Sequence, residues 1–288
     1  MSTTLKLTLA EIDALKGGLE ERGYEMRPLQ HAHFQARGED VVVSAYKSGK
    51  VVVQGKGERA FLEARGLAAP PAAELDAPVV GSDESGKGDY FGPLVVAAVA
   101  AGPDQADALA QAGVRDSKKM SDPSALRAAA AIRTICVHSV RALSPEQYNA
   151  RHEAEGNVAL FLARMHGEAT AETLKGAPES VRVVIDQFTS PERLEKALRA
   201  EGVDLPLEIR HRAEDNLAVA AASVLARAEF LIGLKELGHA HGLQLPKGAG
   251  ANVDRVARRI FRDGGMGALA SVAKIHFKTT TKVTERLF

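Results

Sequence analysis

The segment Leu67-Ala68-Ala69-Pro70-Pro71-Ala72-Ala73-Glu74-Leu75-Asp76-Ala77-Pro78 sets three prolines among alanines, with neither a helical nor a strand period. Proline removes a backbone donor and fixes φ, so a regular element does not run through such a stretch. We read residues 69–78 as a linker dividing the chain into a small domain, 1–68, and a larger one, 79–288. A length of 288 residues suits about two domains. At 45% hydrophobic and 26% charged residues the chain is too apolar for a disordered polymer. Trp is absent and aromatics are 5%, so the core must come mainly from Ala, Val and Leu.

The two sides of the linker carry different patterns. Before it, Thr8-Leu9-Ala10-Glu11 is a capping box that opens a helix bearing Ile12, Leu15 and Leu19. Residues 31–37 alternate as a strand, 41–46 and 51–54 form a hairpin, and 58–65 a second short helix. This is a small α+β domain. Beyond the linker, apolar strands at 78–81, 94–101 and 181–185 interleave with helical patterns at 104–112, 123–133, 157–174, 191–200, 216–237 and 253–262. That alternation predicts an α/β domain with a sheet covered by helices.

Charge is balanced, 37 basic against 37 acidic residues, which gives no global attraction to nucleic acid or membrane. From His241 onward, however, nine basic residues face three acidic ones. A locally basic end points weakly to an anionic partner; a solvated basic face is the plainer account. The single Cys136 excludes an internal disulfide and a cysteine zinc pair. The N-terminus has no signal-peptide core. Residues 217–234 come closest to the roughly 20 apolar residues of a membrane span, but Ser223, Arg227 and Glu229 interrupt them. A cytoplasmic monomer is expected.

Chemistry concentrates in Gly81-Ser82-Asp83-Glu84-Ser85-Gly86-Lys87-Gly88-Asp89-Tyr90-Phe91-Gly92-Pro93. Gly81, Gly86 and Lys87 mimic a phosphate-binding loop, but Gly88 stands where that loop needs a hydroxyl. Asp83 and Glu84 would also repel the phosphates, so no nucleotide cofactor is expected. Two adjacent carboxylates after an internal strand are costly unless paired or metal-bound. On residue types alone, a solvated acidic turn with Lys87 as counter-ion competes with that reading. A third carboxylate, Asp186, ends the branched strand before Gln187 and Phe188. A fourth comes from Glu214-Asp215-Asn216, where Asp215 or Asn216 is placed to cap the long alanine-rich helix that follows. Such carboxylates gathered at strand ends are hard-cation ligands for Mg²⁺ or Mn²⁺. Metal-dependent phosphoryl chemistry is therefore the leading class.

The run Asp83 to Pro93 resembles the opening of type 2 ribonucleases H, and specifically of ribonuclease HIII. So do Asp116-Ser117-Lys118-Lys119-Met120, Ile185-Asp186-Gln187-Phe188, Ala213-Glu214 followed by residues 220–227, and Leu245-Pro246-Lys247-Gly248-Ala249-Gly250. The extra N-terminal domain and Glu at 214 favour HIII over ribonuclease HII. The resemblance implies an RNase H-like catalytic domain behind a TATA-binding-protein-like N-terminal domain that grips the substrate. It implies endonucleolytic cleavage of the RNA strand of RNA/DNA hybrids, leaving 5′-phosphate and 3′-hydroxyl ends. Two divalent cations would be held by Asp83, Glu84, Asp186 and Glu214, with Asp215 the alternative fourth ligand. Gly86, Lys87 and Gly88 would sense the 2′-hydroxyl, and Ser117, Lys118 and Lys119 would contact the substrate. A binding protein that kept the fold without cleaving, and ribonuclease HII activity on a single embedded ribonucleotide, are the rivals.

Overall fold

The computed structural model describes residues 2–65, 75–114, 117, 120–211 and 213–285. It divides into two compact units, Met1–Pro71 and Ala72–Phe288. Up to Glu74 the expected linker lies outside the described residues. Its remainder belongs to the second unit: Leu75 is buried in that core, and Asp76 pairs with Arg182 at 2.7 Å.

The first unit contains β1 (Ser2–Lys6), α1 (Leu9–Glu20), β2 (Glu25–Arg27), β3 (Ala32–Arg37), β4 (Val42–Tyr46), β5 (Lys50–Gln54) and α2 (Glu58–Glu63). Its sheet is antiparallel throughout, in the order β1-β5-β4-β3-β2. The capping box is present: Thr8 N donates to Glu11 Oε2 at 2.7 Å, and Glu11 N to Thr8 Oγ1 at 3.4 Å. Ile12, Leu15 and Leu19 pack on Phe34, Ala36, Val43, Ala45, Val51 and Val53, the inward set of β3 to β5. Alternate residues Gln35, Val42, Val52 and Gln54 remain half-buried or exposed on the other side.

In the second unit β6 (Val79–Ser85), β7 (Leu94–Ala101), β8 (His138–Leu143), β9 (Arg182–Asp186) and β10 (Leu207–Arg210) form a mixed sheet ordered β10-β9-β6-β7-β8. β10, β9 and β6 pair in parallel, and β7 pairs antiparallel with both β6 and β8. The helices are α3 (Pro103–Gln111), α4 (Asp122–Ile135), α5 (Pro145–Glu155), α6 (Val158–Gly176), α7 (Pro191–Ala200), α8 (Leu217–Ala240), α9 (Ala251–Ala270) and α10 (Lys278–Thr284). α9 is broken at Gly265, where φ is 64°.

The central strand corrects the sequence reading. It does not stop at Gly81 but continues to Ser85, because Asp83 pairs with Ala97 and Glu84 with Val96 of β7. Its residues alternate between two helical layers. Gly81 faces α8, where a Cβ would stand 2.2 Å from Val219 N. Ser82 faces α6, with Oγ 2.8 Å from His166 Nδ1. α8 is long and apolar enough by composition to cross a membrane, despite Ser223, Arg227 and Glu229. Every residue from Leu217 to Ala226 is buried in the core, against the sheet and α4.

Candidate active site

A cleft of about 460 Å³ opens at the C-terminal ends of the parallel neighbours β6 and β9. Asp83, Glu84 and Asp186 all line it, with the loop Ser85–Asp89, Ser117, Ser223, Arg227 and Lys247. Ser82 pairs with Ile185, which puts Asp83 and Asp186 next in register. Both side chains turn to the α8 layer. Asp83 accepts a hydrogen bond from Ser223, and Asp186 Oδ1 accepts from Ala213 N at 3.1 Å. Glu84 turns to the opposite layer, where His166 Nε2 lies 3.3 Å from Oε2.

These placements separate the two adjacent carboxylates electrostatically. Asp83 is 6% exposed, and its polar partners are Ser223 and Glu84 N at 2.7 Å. Burial, then the charges of Glu84 and Asp186, push its carboxyl up to about 7. Burial also raises Glu84, but the His166 ring and Lys87, whose Nζ is 3.4 Å from Oε1, hold it below the usual range. An acid that resists ionisation beside one held ionised is a site short of positive charge.

The donor set fits a divalent cation: three carboxylates of a single cleft, one of them buried with no cationic partner among the described residues, are hard oxygen ligands. Among the described residues, no three His, Cys, Asp or Glu side chains close on one point as a finished ion cage. Glu214 does not line the cleft with the other three. It sits in a 3₁₀ turn, Ala213–Asp215, whose first amide binds Asp186. Its neighbour Asp215 pairs with Arg210 at 2.5 Å, which lowers the Asp215 pKa. The helix cap left open between Asp215 and Asn216 belongs to Asn216, whose Oδ1 accepts from Ala218 N and Val219 N.

The glycines of the loop differ. Gly86 has φ of 89°, and a Cβ there would stand 2.1 Å from Pro93 O, so the protein's own backbone requires glycine. Gly88 meets nothing within 4 Å. A phosphate-binding loop is excluded, because residues 82–85 are spent in strand pairing and Lys87 turns back to Glu84. Ser117 is 4% exposed, and its hydroxyl bonds Ser223 at 2.8 Å. Lys118 and Lys119 lie outside the described residues, as does Asp116.

Sequence reasoning missed several residues around the cleft. Asp122 binds both Arg227 Nη2 and Lys247 Nζ at 2.7 Å. Asp89 Oδ1 accepts from Gly248 N at 2.6 Å and ties the two glycine loops together. Lys274, with no exposure, donates to Gly92 O at 2.6 Å and Asp89 O at 3.0 Å. His166 is fully buried in a helix. For His166, a polar residue inside an apolar helical face was the available signal.

Comparison with known proteins adds a second line. A family model described as Ribonuclease HII matches residues 80–280. Ribonuclease HIII of Protochlamydia amoebophila is 36% identical over 286 residues, covering 96% of this chain and 94% of its own. The chain belongs to the ribonuclease HIII family. That family consists of metal-dependent hydrolases that degrade the RNA of RNA/DNA hybrids. Ribonuclease HIII of Chlamydia felis is 37% identical, covering 99% of both chains. The crystal structure of Bst-RNase HIII in complex with Mn²⁺ matches with a TM-score of 0.70 at 33% identity, again over 99% of both chains. The RNase H-like fold of the family is thus the fold of the second unit. Residues 2–72 match a model described as Domain of unknown function (DUF3378), an extra N-terminal domain.

Proposed function

We propose that this chain cleaves the RNA strand of RNA/DNA hybrids endonucleolytically, with Asp83, Glu84, Asp186 and Glu214 as cation ligands. The observation that carries the reading is the shared cleft at the ends of β6 and β9, where a buried Asp83 beside Asp186 has no cationic partner among the described residues. For the fourth place Glu214 is the residue that the family resemblance carries over, and the alternative, Asp215, pairs with Arg210. Asp83, Glu84, Asp186 and Glu214 would hold a pair of Mg²⁺ or Mn²⁺ ions, whose chemistry would be activation of a water and stabilisation of the leaving oxygen, with 5′-phosphate and 3′-hydroxyl ends as products.

The protein's own groups do the rest. Ser223 holds Asp83 toward the cleft, and the Ala213 amide holds Asp186. The loop Gly86-Lys87-Gly88 borders the carboxylates, and the bare Gly88 gives a 2′-hydroxyl room to approach the backbone. Arg227 and Lys247 add positive charge along the cleft wall, with Ser117 between Arg227 and Ser223 and with Lys118 and Lys119 next in the chain. We assign the first unit a binding role, since Lys47 and Lys50 are exposed at the turn of the β4–β5 hairpin and Lys56 is exposed just beyond β5.

The test is cleavage of a uniform hybrid and of a DNA duplex carrying one ribonucleotide, each with Mg²⁺ or Mn²⁺. The hybrid should be cut by the wild type and not measurably by Asp186→Asn, while hybrid binding persists. Undiminished cleavage by Asp186→Asn would remove that residue from the reaction.

A further inference from the structure

Glu84 has two partners of opposite character. Lys87 reaches Oε1 from a side chain 40% exposed and rests over the Phe188 ring at 4.9 Å. His166 approaches Oε2 from full burial. Its ring is held on several sides: Nδ1 lies 2.8 Å from Ser82 Oγ, and its face stacks on Phe188 at 4.8 Å and 23°. Nε2 points at the carboxylate from 3.3 Å, off the line of a well-formed hydrogen bond, and has no other partner among the described residues. Packing alone does not explain a polar ring here. A phenylalanine would stack on Phe188 equally and leave no buried nitrogen short of a partner, which is destabilising.

We propose that His166 is a positioning residue that fixes Glu84 for divalent-cation binding. The proposal rests on the reading of Asp83, Glu84 and Asp186 as cation ligands. A carboxylate oxygen 3.3 Å away requires a proton on Nε2, since two lone pairs would otherwise face each other. The Ser82 hydroxyl accommodates that tautomer: it can donate to Nδ1, or to Ala97 O at 3.0 Å. Of the two tethers only this one is rigid. Lys87 has a flexible, solvated stem and can leave for a phosphate, whereas His166 cannot leave. Glu84 is therefore kept aimed at the cleft while its lysine partner exchanges. Groups that orient a ligating carboxylate typically contribute about 10–100-fold in metal affinity.

The test is Mn²⁺ affinity of the full chain by calorimetry, together with kcat and KM for a hybrid at graded Mn²⁺. His166→Phe keeps the stack on Phe188 and leaves Ser82 its bond to Ala97 O. It should bind Mn²⁺ about 10–100-fold more weakly, keep its KM for hybrid, and recover activity as Mn²⁺ is raised. His166→Gln, whose terminal amide N–H can stand in for Nε2–H, should regain most of the affinity. A folded His166→Phe with wild-type Mn²⁺ affinity overturns the proposal. If that variant does not fold, Ser82→Ala replaces it: weakened Mn²⁺ binding supports the role, and wild-type binding overturns it. Asp186→Asn tests the underlying reading separately. Unaltered Mn²⁺ binding there defeats the ligand assignment, whereas a loss there without one in His166→Phe defeats only the positioning role.

Discussion

Replacing Asp83 with Asn should make the metal-free protein more stable at pH 8 while abolishing cleavage. In the folded state the Asp83 carboxyl titrates near 7, against about 3.9 when unfolded. The folded state therefore binds the proton more tightly. Its contribution to stability is full below pH 4 and is lost as the pH rises toward and through 7. About three pH units at 1.36 kcal/mol each set a ceiling of about 4 kcal/mol. Relaxation of a cleft open to water reduces this to about 2–4 kcal/mol, or roughly 5–10 °C in Tm for a unit of this size. Asn is accommodated in place: its Oδ1 accepts from Glu84 N, and its Nδ2 donates to Ser223, whose hydroxyl can turn toward Ser117. Thermal unfolding with a chelator present, at pH 8 and at pH 4, reads the effect. The gain should be present at pH 8 and vanish at pH 4. Equal offsets at both values would refute the assignment of a charge penalty to Asp83.

Three further outcomes follow from the geometry. Gly86→Ala should destabilise the protein by several kcal/mol, because its Cβ meets Pro93 O, whereas Gly88→Ala should unfold like the wild type and lose about tenfold in kcat on hybrids; a wild-type rate for Gly88→Ala would take the loop out of substrate recognition. Burial depresses Lys274 to about 7, so its stability contribution grows from pH 7 upward, and the wild type should gain about 3 kcal/mol on Lys274→Met between pH 6 and pH 9 in denaturant melts; a pH-independent difference would contradict a charged, buried Lys274. Replacing Lys47, Lys50 and Lys56 together by Ala should raise KM for hybrid and flatten its salt dependence, with kcat retained at saturation; an unchanged KM would count against a binding role for the first unit.

The sequence made Asp83, Glu84 and Asp186 legible because each adjoins an apolar strand that periodicity can detect. It did not show that β6 carries on through the carboxylates. Ser82-Asp83-Glu84-Ser85 has no intrinsic strand preference, and pairing with β7 imposes the conformation from outside. For the same reason β8 and β10 are not legible in the sequence: β8 has a mixed burial pattern, β10 is half-buried throughout, and neighbouring strands define both. Gly86 and Gly88 look equivalent as letters, yet only the folded backbone shows that Pro93 O crowds one and nothing crowds the other. His166 lies 82 positions from Glu84, a separation that no local pattern bridges. The capping box at Thr8 was readable because both partners lie within four residues.

Gly81 acts as a register key. A strand that slips by one residue exchanges its two faces, so Asp83 would meet the α6 layer and Glu84 the α8 layer. Hydrogen bonding along β6 would tolerate that slip, since every backbone rung looks alike. The approach of α8 does not, because it leaves room for a strand residue only where there is no Cβ, and both neighbours, Val80 and Ser82, have one. The unlike environments of two chemically similar carboxylates, one beside a hydroxyl and the other beside an imidazole, are thus fixed two and three positions upstream by a hydrogen atom.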